Sequence, residues 1–250
     1  MEVIKESKVD RDRRKAKNRL IKRTLLLGLG VLVIVGGVLG LMWLNSKESS
    51  SLVSDPNSTK IAPITEVDQV IGDITNPQVT LVEYSDFECP ACAYYEPLIT
   101  EILNDYGDKG LIFTYRHYPL SFHLHALETA KVSEAAGRQN KFWEMKSLLF
   151  AGQDKWSKMT PEEAKNTFLT YAESLNLNLD QFKTDLDDPA ILAKIQADLK
   201  SGNEAGVQGT PTFYLNETEI TARTINEFKA QIEAVIPQTK NQASSTINFE

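Results

Sequence analysis

The alternation of hydrophobic and polar positions predicts a strand, a helix and a second strand from residue 79 onward. Residues 79–84 (VTLVEY) are rich in β-branched and aromatic side chains and follow the Asn76–Pro77 turn signal, so they predict a strand. The next apolar positions recur mostly three or four residues apart, with Gly107 beyond them, and predict an amphipathic helix. These positions are Cys92, Tyr95, Ile99, Ile102, Leu103 and Tyr106. Residues 111–116 (LIFTYR) predict a second strand, parallel to the first because a helix joins them.

A helical pattern fills residues 121–203, between this unit and the end of the chain. Thr160 and Glu163 form a capping-box pattern around Pro161, which predicts a helix start. Asp188–Pro189 predicts the start of another helix, and Gly202 is expected to end it. Several helices are therefore expected as an insertion.

The chain closes with a predicted strand, strand and helix. Residues 212–215 and 219–221 are short β-rich runs, joined by an expected turn at residues 216–218. Thr224 and Glu227 predict the cap of a last helix. Its apolar stripe consists of Ile225, Phe228, Ile232 and Val235, and it is expected to end at Pro237.

The N-terminal part of the chain has a different pattern. Residues 24–44 (TLLLGLGVLVIVGGVLGLMWL) carry no charge, and as a helix they would span about 31 Å, enough for a bilayer core. Residues 1–23 contain ten Lys or Arg against four acids. The apolar run is longer than that of a signal peptide. One uncleaved transmembrane helix is therefore predicted, with residues 1–23 cytoplasmic and the C-terminal domain extracytoplasmic in a cell membrane.

Composition and charge bound the remaining chain. Hydrophobic residues make up 42% and charged residues 24% of the 250 residues, which is ordinary globular usage. We predict a flexible linker at residues 45–65, one domain at residues 66–237 and a polar tail at residues 238–250. The net charge of −7 becomes −13 once the +6 of residues 1–23 is removed, which argues against nucleic-acid binding. No phosphate-binding glycine loop or Ser-His-Asp pattern is present, so no cofactor is predicted.

The chain has two cysteines, Cys89 and Cys92, in the stretch ECPAC. A disulfide between them closes almost no loop and would contribute little to stability, which favours redox chemistry or metal binding. Cys89 comes where the predicted strand gives way to the predicted helix, with Pro90 at the first helical position. The helix N-terminus stabilises a thiolate, so Cys89 is the predicted nucleophile and Cys92 the shielded resolving thiol.

The stretches VEYSDFECPACAYYEP and GVQGTPTFYLN, in this order of elements, resemble the DsbA-type thioredoxin-fold proteins, particularly the membrane-anchored bacterial members. The resemblance covers about residues 68–236. It implies an α/β thioredoxin fold with a helical insertion at about residues 121–203. It also implies a cis Pro211 beside the cysteines that pairs with substrate, with Thr210 influencing redox behaviour. Glu83 takes the position of a buried acid that exchanges a proton with Cys92, a solvated edge glutamate being the alternative.

The same resemblance implies a thiol–disulfide oxidoreductase, most directly an oxidase of secreted proteins. Its expected partners are reduced or unfolded secreted substrates and a quinone-linked membrane partner that restores the disulfide. Ala91 departs from the strongly oxidising members, which carry His at this position, so a milder oxidant is expected. Pro97 matches a kink in the first helix of the family.

Other functions stay open at this stage. A reductase or an isomerase would use the same cysteines. Zinc could be bound by the two cysteines with His123 and His125, although Pro90 and Pro211 would then be unexplained. His117 is expected to be structural. A tethered peptide-binding or chaperone module would need its aromatic side chains in a groove rather than in the core; these are Phe142, Trp143, Phe150, Trp156 and Phe168.

Overall fold

The computed structural model describes residues 61–75 and 77–236. All of them belong to the second of the two units into which the chain divides, residues 56–250. Within the described ranges, none of the helices combines the length and apolar character needed to cross a bilayer. The predicted basic segment 1–23, the predicted span 24–44, residues 45–60 of the linker and the tail 238–250 all lie outside the described residues.

A five-stranded mixed sheet forms the centre of the domain. Its strands are β1 (Gln69–Ile71), β2 (Val79–Ser85), β3 (Leu111–His117), β4 (Thr212–Leu215) and β5 (Thr218–Ile220), in the spatial order β1-β3-β2-β4-β5. The central pair β2 and β3 is parallel, as predicted, with Val79 opposite Leu111. The other three pairs are antiparallel.

Seven α-helices surround the sheet in the described part of the chain. They are α1 (Pro90–Tyr106), α2 (Ala126–Gly137), α3 (Phe142–Trp156), α4 (Pro161–Ser174), α5 (Leu179–Leu186), α6 (Pro189–Ala205) and α7 (Ile225–Val235). Helices α2 to α6 lie between β3 and β4 in the sequence, where the helical insertion is expected. The predicted capping box at Thr160 is confirmed, because its side chain and that of Glu163 each accept from the other's backbone N–H.

The period-two pattern of the strands separates two cores on opposite faces of the sheet. Odd-numbered side chains such as Leu81 pack in the larger core, which also holds the inner faces of α1, α3 and α7. Even-numbered side chains such as Val82 and Tyr84 pack in a smaller core with Ile61 and Tyr214. Cys89 and Cys92 belong to the larger core. The site therefore lies on the face that the insertion also covers.

The prediction that Gly202 ends a helix is wrong. Helix α6 continues to Ala205, and its C-cap is Gly206 in the left-handed conformation, with φ +86°. Gly202 serves packing instead: a Cβ at this position would lie 2.7 Å from a ring carbon of Tyr118 and 3.0 Å from one of Tyr84. The close approach of α6 to these two rings therefore requires glycine.

Two further differences concern short segments. Strand β1 was not predicted, because three residues are too few for a period to be recognised. Strand β5 starts at Thr218, which was assigned to the turn; Asn216, with φ 55°, and Glu217 form the turn.

Residues 61–65, assigned to the linker, pack against the domain. Ile61 is buried, and the carbonyls of Ala62 and Pro63 each accept from the Arg116 guanidinium at 2.9 Å. Arg116 is itself buried and bonded to Asp68, with Nε 3.0 Å from Oδ1. The domain thus includes these residues.

Candidate active site

The candidate active site begins where β2 ends and α1 starts. Cys89 is the N-cap residue of α1, in an extended conformation, and Pro90 occupies the first helical position, as predicted. The turn before it is held by Asp86: its carbonyl accepts from the Cys89 N–H at 3.1 Å, and its carboxylate accepts from the Glu88 N–H at 2.8 Å. The strand-to-helix junction is therefore rigidly bonded just before the nucleophile.

Both cysteines are free thiols, and both are largely buried. Cys89 is 7% exposed and Cys92 is 1% exposed. The attacking thiol is the more accessible of the two, as expected, but the further expectation that an attacking sulfur is exposed is wrong, because Cys89 is buried.

Several hydrogen-bond donors lower the pKa of Cys89 to about 5, well below that of an ordinary thiol. The largest contribution comes from the Cys92 thiol, which donates to the Cys89 sulfur. The Thr210 side chain and the backbone N–H groups of Cys92 and Ala91 act in the same direction, whereas burial opposes them. Cys89 is thus the thiolate of the pair at neutral pH.

Thr210 and Pro211 come from the other end of the sequence and lie against Cys89. The Thr210–Pro211 peptide bond is cis, the geometry implied by the resemblance. The Cys89 thiol donates to the Thr210 carbonyl at 3.3 Å. In this thiol form the buried Thr210 hydroxyl has no hydrogen-bond partner among the described residues. Ionisation of Cys89 changes its sulfur from donor to acceptor, so the hydroxyl can then donate to it.

Cys92 has the opposite electrostatic environment. Burial raises the pKa of Cys92 well above its ordinary value, and the hydrogen bond to Cys89 and the negative charges of Glu83 and Cys89 add to the effect. Cys92 is therefore held as a protonated thiol. The two sulfurs divide into a leaving group and a proton-bearing resolving group.

Glu83 is the buried acid of this site. It is 2% exposed in β2, so it is not a solvated edge residue. Burial raises the pKa of Glu83 to about 7, although the nearby Lys146 cation and a 2.7 Å hydrogen bond from the Ser85 hydroxyl oppose the rise. A carboxyl group with this pKa can hold or accept a proton near neutral pH.

The insertion contributes two polar side chains that the sequence analysis missed. Lys146 in α3 is buried, forms an ion pair with Glu96 of α1, and lies within 6.0 Å of four aromatic ring centroids. Gln153 lies two turns further along the same helix, and its side-chain N–H group donates to the carbonyls of Phe87 and Cys89. The only signal was their place among apolar positions of a helix, at spacings of four and three around Phe150.

The histidines are engaged away from the cysteines. His123 Nδ1 lies 2.7 Å from an Asp86 carboxylate oxygen, and His125 Nε2 lies 3.0 Å from the Met159 carbonyl. His117 forms a buried pair with Glu134 at 2.9 Å, which fits the expected structural role. Among the described residues, no group of three or more His, Cys, Asp or Glu is arranged to hold a metal ion. The two cysteines and two histidines thus do not form the zinc site considered above.

The aromatic residues of the insertion are mostly core. Phe142, Phe150, Trp156 and Phe168 are buried, and Trp143 is partly buried against the same core. Trp143 also lines a surface pocket with Leu103 and Phe113, so of the five side chains it is the one that reaches such a cavity. Pro97, the expected kink position, lies inside α1.

Comparison with known proteins places this site in a family. A family model described as "Thioredoxin" matches residues 65–234. The chain belongs to the thioredoxin family. This thioredoxin-family domain shares its fold with crystal structures of BdbD from Bacillus subtilis (TM-score 0.61, 25% identity, 71% of this chain and 97% of that one) and of Wolbachia pipientis α-DsbA1 (TM-score 0.60, 22% identity, 69% and 92%). Fold and neighbours support a DsbA-type thiol–disulfide oxidoreductase.

Relatives found by sequence are longer proteins. The thioredoxin-family chain is 41% identical over 150 residues to a protein of Salinispora tropica named Na(+)/H(+) antiporter NhaA 3. The aligned segment covers 60% of this chain. It is 33% identical over 181 residues to a Na(+)/H(+) antiporter NhaA of Herminiimonas arsenicoxydans. The match spans only 22% and 27% of those two proteins, and it falls in the thioredoxin-like part of this chain.

Proposed function

We propose that the chain is an extracytoplasmic thiol–disulfide oxidase that donates the Cys89–Cys92 disulfide to secreted or surface proteins. The observation that carries the proposal is the placement of the two thiols: Cys89 caps α1 beside the Cys92 thiol, which lowers the pKa of Cys89, whereas Cys92 is buried inside the first turn, which raises its own pKa. A stabilised Cys89 thiolate favours the reduced form of the pair, which makes its disulfide a stronger oxidant. It also makes Cys89 the better leaving group.

In the proposed cycle, a substrate thiolate attacks Cys89 of the oxidised pair. The bond between Cys89 and Cys92 breaks, a mixed disulfide between substrate and Cys89 forms, and the Cys92 thiolate takes up a proton. Glu83 is the proposed donor of this proton, since its own pKa lies near 7 and its charge acts on Cys92. A second substrate thiolate then attacks the substrate sulfur of the mixed disulfide and releases Cys89 as a thiolate. The substrate loses two electrons and the cysteine pair gains them.

Reduced Cys89 and Cys92 must then return two electrons to an acceptor. A quinone-linked membrane partner is proposed for this step, and residues 24–44 are proposed to hold the domain at the outer surface of the membrane. The alternative directions, reductase or isomerase, use the same thiols. The antiporter name belongs to relatives more than three times as long as the matched segment, so ion transport is not proposed for this chain.

The test is the reduction potential of the full-length chain, measured by equilibration with glutathione. A potential of about −120 to −200 mV would support an oxidase, whereas a value near about −270 mV, typical of thioredoxin, would overturn the oxidase direction. Cys89→Ser should abolish oxidation of a reduced dithiol substrate. When Cys92→Ser is given the disulfide form of that substrate, its Cys89 thiolate should attack the disulfide, release one substrate thiolate and accumulate as the mixed disulfide. Full activity of Cys89→Ser would overturn the enzymatic proposal itself.

A further inference from the structure

The turn that carries Cys89 is fixed from outside by one side chain of the insertion. Gln153 Nε2 lies 2.6 Å from the Phe87 carbonyl oxygen and 2.9 Å from the Cys89 carbonyl oxygen. Gln153 is 5% exposed, so both bonds are shielded from water. The buried Gln153 amide thus joins the carbonyl before Glu88 to the carbonyl after it. We call this pair of hydrogen bonds across the active-site turn the clamp.

The position of Gln153 is itself well determined. It belongs to the last turn of α3, between Phe150 and Trp156, which are 7% and 0% exposed. The Phe150 ring packs on that of Phe87, with centroids 5.0 Å apart. Helix α3 therefore contacts the turn through a ring pair and an amide.

The carbonyl of Cys89 also begins helix α1, because it accepts from the Ala93 N–H at 3.2 Å. The bond from Gln153 to the same oxygen fixes the peptide plane that orients the Cys89 side chain. This orientation decides whether the sulfur faces the backbone N–H groups of Ala91 and Cys92, which stabilise its thiolate. A displacement of a few tenths of an ångström would weaken those bonds, since hydrogen-bond strength depends steeply on geometry.

We infer that Gln153 is a positioning residue of the active site, which holds the Cys89 backbone so that its sulfur faces the N–H groups of the first turn of α1. The inference rests on Cys89 being the attacking thiol of the proposed function. It gives the inserted helices a role in setting the reactivity of the thiol. Gln153 touches neither the sulfur nor a substrate, and it acts through the backbone alone.

The test uses the full-length reduced chain and the variant Gln153→Leu, which keeps the approximate volume and removes both donors. The rate of alkylation of Cys89 by iodoacetamide is measured from pH 4 to pH 9, in a Cys92→Ser background, and each variant is compared with its own parent. We expect Gln153→Leu to slow alkylation at pH 5 by roughly three- to tenfold, as the sulfur loses N–H donors, with rates converging above pH 8. The charged group near Cys89 in this background, Glu83, is unchanged by the substitution.

The matched control is Asp154→Asn, an exposed position next to Gln153 in the same helix, which should leave the profile within twofold of its parent. A Gln153→Leu protein with a native circular dichroism spectrum and an unchanged pH profile would overturn the inference. If the reduced wild-type chain, which keeps Cys92, shows no enhanced reactivity of Cys89 at low pH, the proposed function fails instead, so the two failures are distinguishable.

Gln153→Met serves as a second variant, with an unbranched side chain and no donor. If neither variant folds, the wild-type chain still gives a test. The side-chain amide protons of Gln153 should exchange with solvent at least tenfold more slowly than those of the exposed Gln181 in nuclear magnetic resonance spectra. Equal exchange at the two positions would show that the clamp does not exist in solution.

Discussion

Removing the buried carboxyl group of Glu83 should change the stability of the reduced protein in a pH-dependent way. Gln is close in size and can still accept the hydrogen bond from the Ser85 hydroxyl. The substitution therefore removes the ionisation and little else. Lys146, whose charge acts on Glu83, keeps its ion pair with Glu96.

The direction follows from linkage. The pKa of Glu83 rises from 4.5 to about 7 on folding because burial disfavours the charged form. Below pH 4.5 the group is neutral in both states, and the fold bears no cost. Between pH 4.5 and about 7 the unfolded chain releases this proton while the folded protein still holds it, so stability falls through this window and levels off above pH 7, where the folded protein carries the buried charge. At about 1.4 kcal/mol per pH unit, the full cost is about 3 kcal/mol.

The assay is urea unfolding of the reduced full-length wild type and Glu83→Gln at pH 5 and pH 8. We expect the free energy of unfolding of the variant, relative to that of the wild type, to rise by about 2 to 3 kcal/mol from pH 5 to pH 8. Only the wild type must bury an ionised carboxyl group at the higher pH. Glu162→Gln, at an exposed glutamate of α4, is the control and should show no such gain. A constant difference between wild type and Glu83→Gln would refute the burial argument. A wild type that gains on the variant would mean that Lys146 stabilises the carboxylate more than burial destabilises it.

Two further substitutions test a hydrogen bond at the active site and the packing of the smaller core on the opposite face of the sheet. Thr210→Val keeps the shape of the side chain but removes the buried hydroxyl that can donate to the thiolate. The pKa of Cys89, measured by titrating the thiolate absorbance at 240 nm, should therefore rise by roughly half a pH unit. An unchanged titration would exclude the hydroxyl as a donor. Gly202→Ala should destabilise the fold by about 1 to 3 kcal/mol, because its Cβ would meet the Tyr118 ring at 2.7 Å. Gly209→Ala, where a Cβ meets nothing within 4 Å, is the control, and equal melting temperatures for the two variants would contradict the packing argument.

Local signals in the sequence were sufficient for the elements that carry the cysteines. Strand β2 and helix α1 have clear periods, and Pro90 marks the first helical position. The opposite environments of Cys89 and Cys92 followed from this one junction. Residues 89 and 92 differ in environment because one caps a helix and the other enters its buried face.

Contacts between distant segments could not be predicted in the same way. Thr210 lies 121 residues from Cys89 in the sequence, and only the resemblance to a family brought the two together. Gln153 was missed because a helical period shows that one face is buried but does not show what it is buried against. Gly202 was misassigned for a related reason. Glycine often ends a helix, but here the rings of Tyr84 and Tyr118, from two distant segments, pack so close that the helix interior requires glycine.

The length of the two edge strands limits how the sheet can pair with other polypeptide chains. Strands β1 and β5, which form its edges in the described part of the protein, are three residues long each. Such short strands offer few backbone N–H and C=O groups with which a strand of another polypeptide could pair. Another polypeptide that pairs with either edge therefore gains few backbone hydrogen bonds, which disfavours aggregation through the sheet.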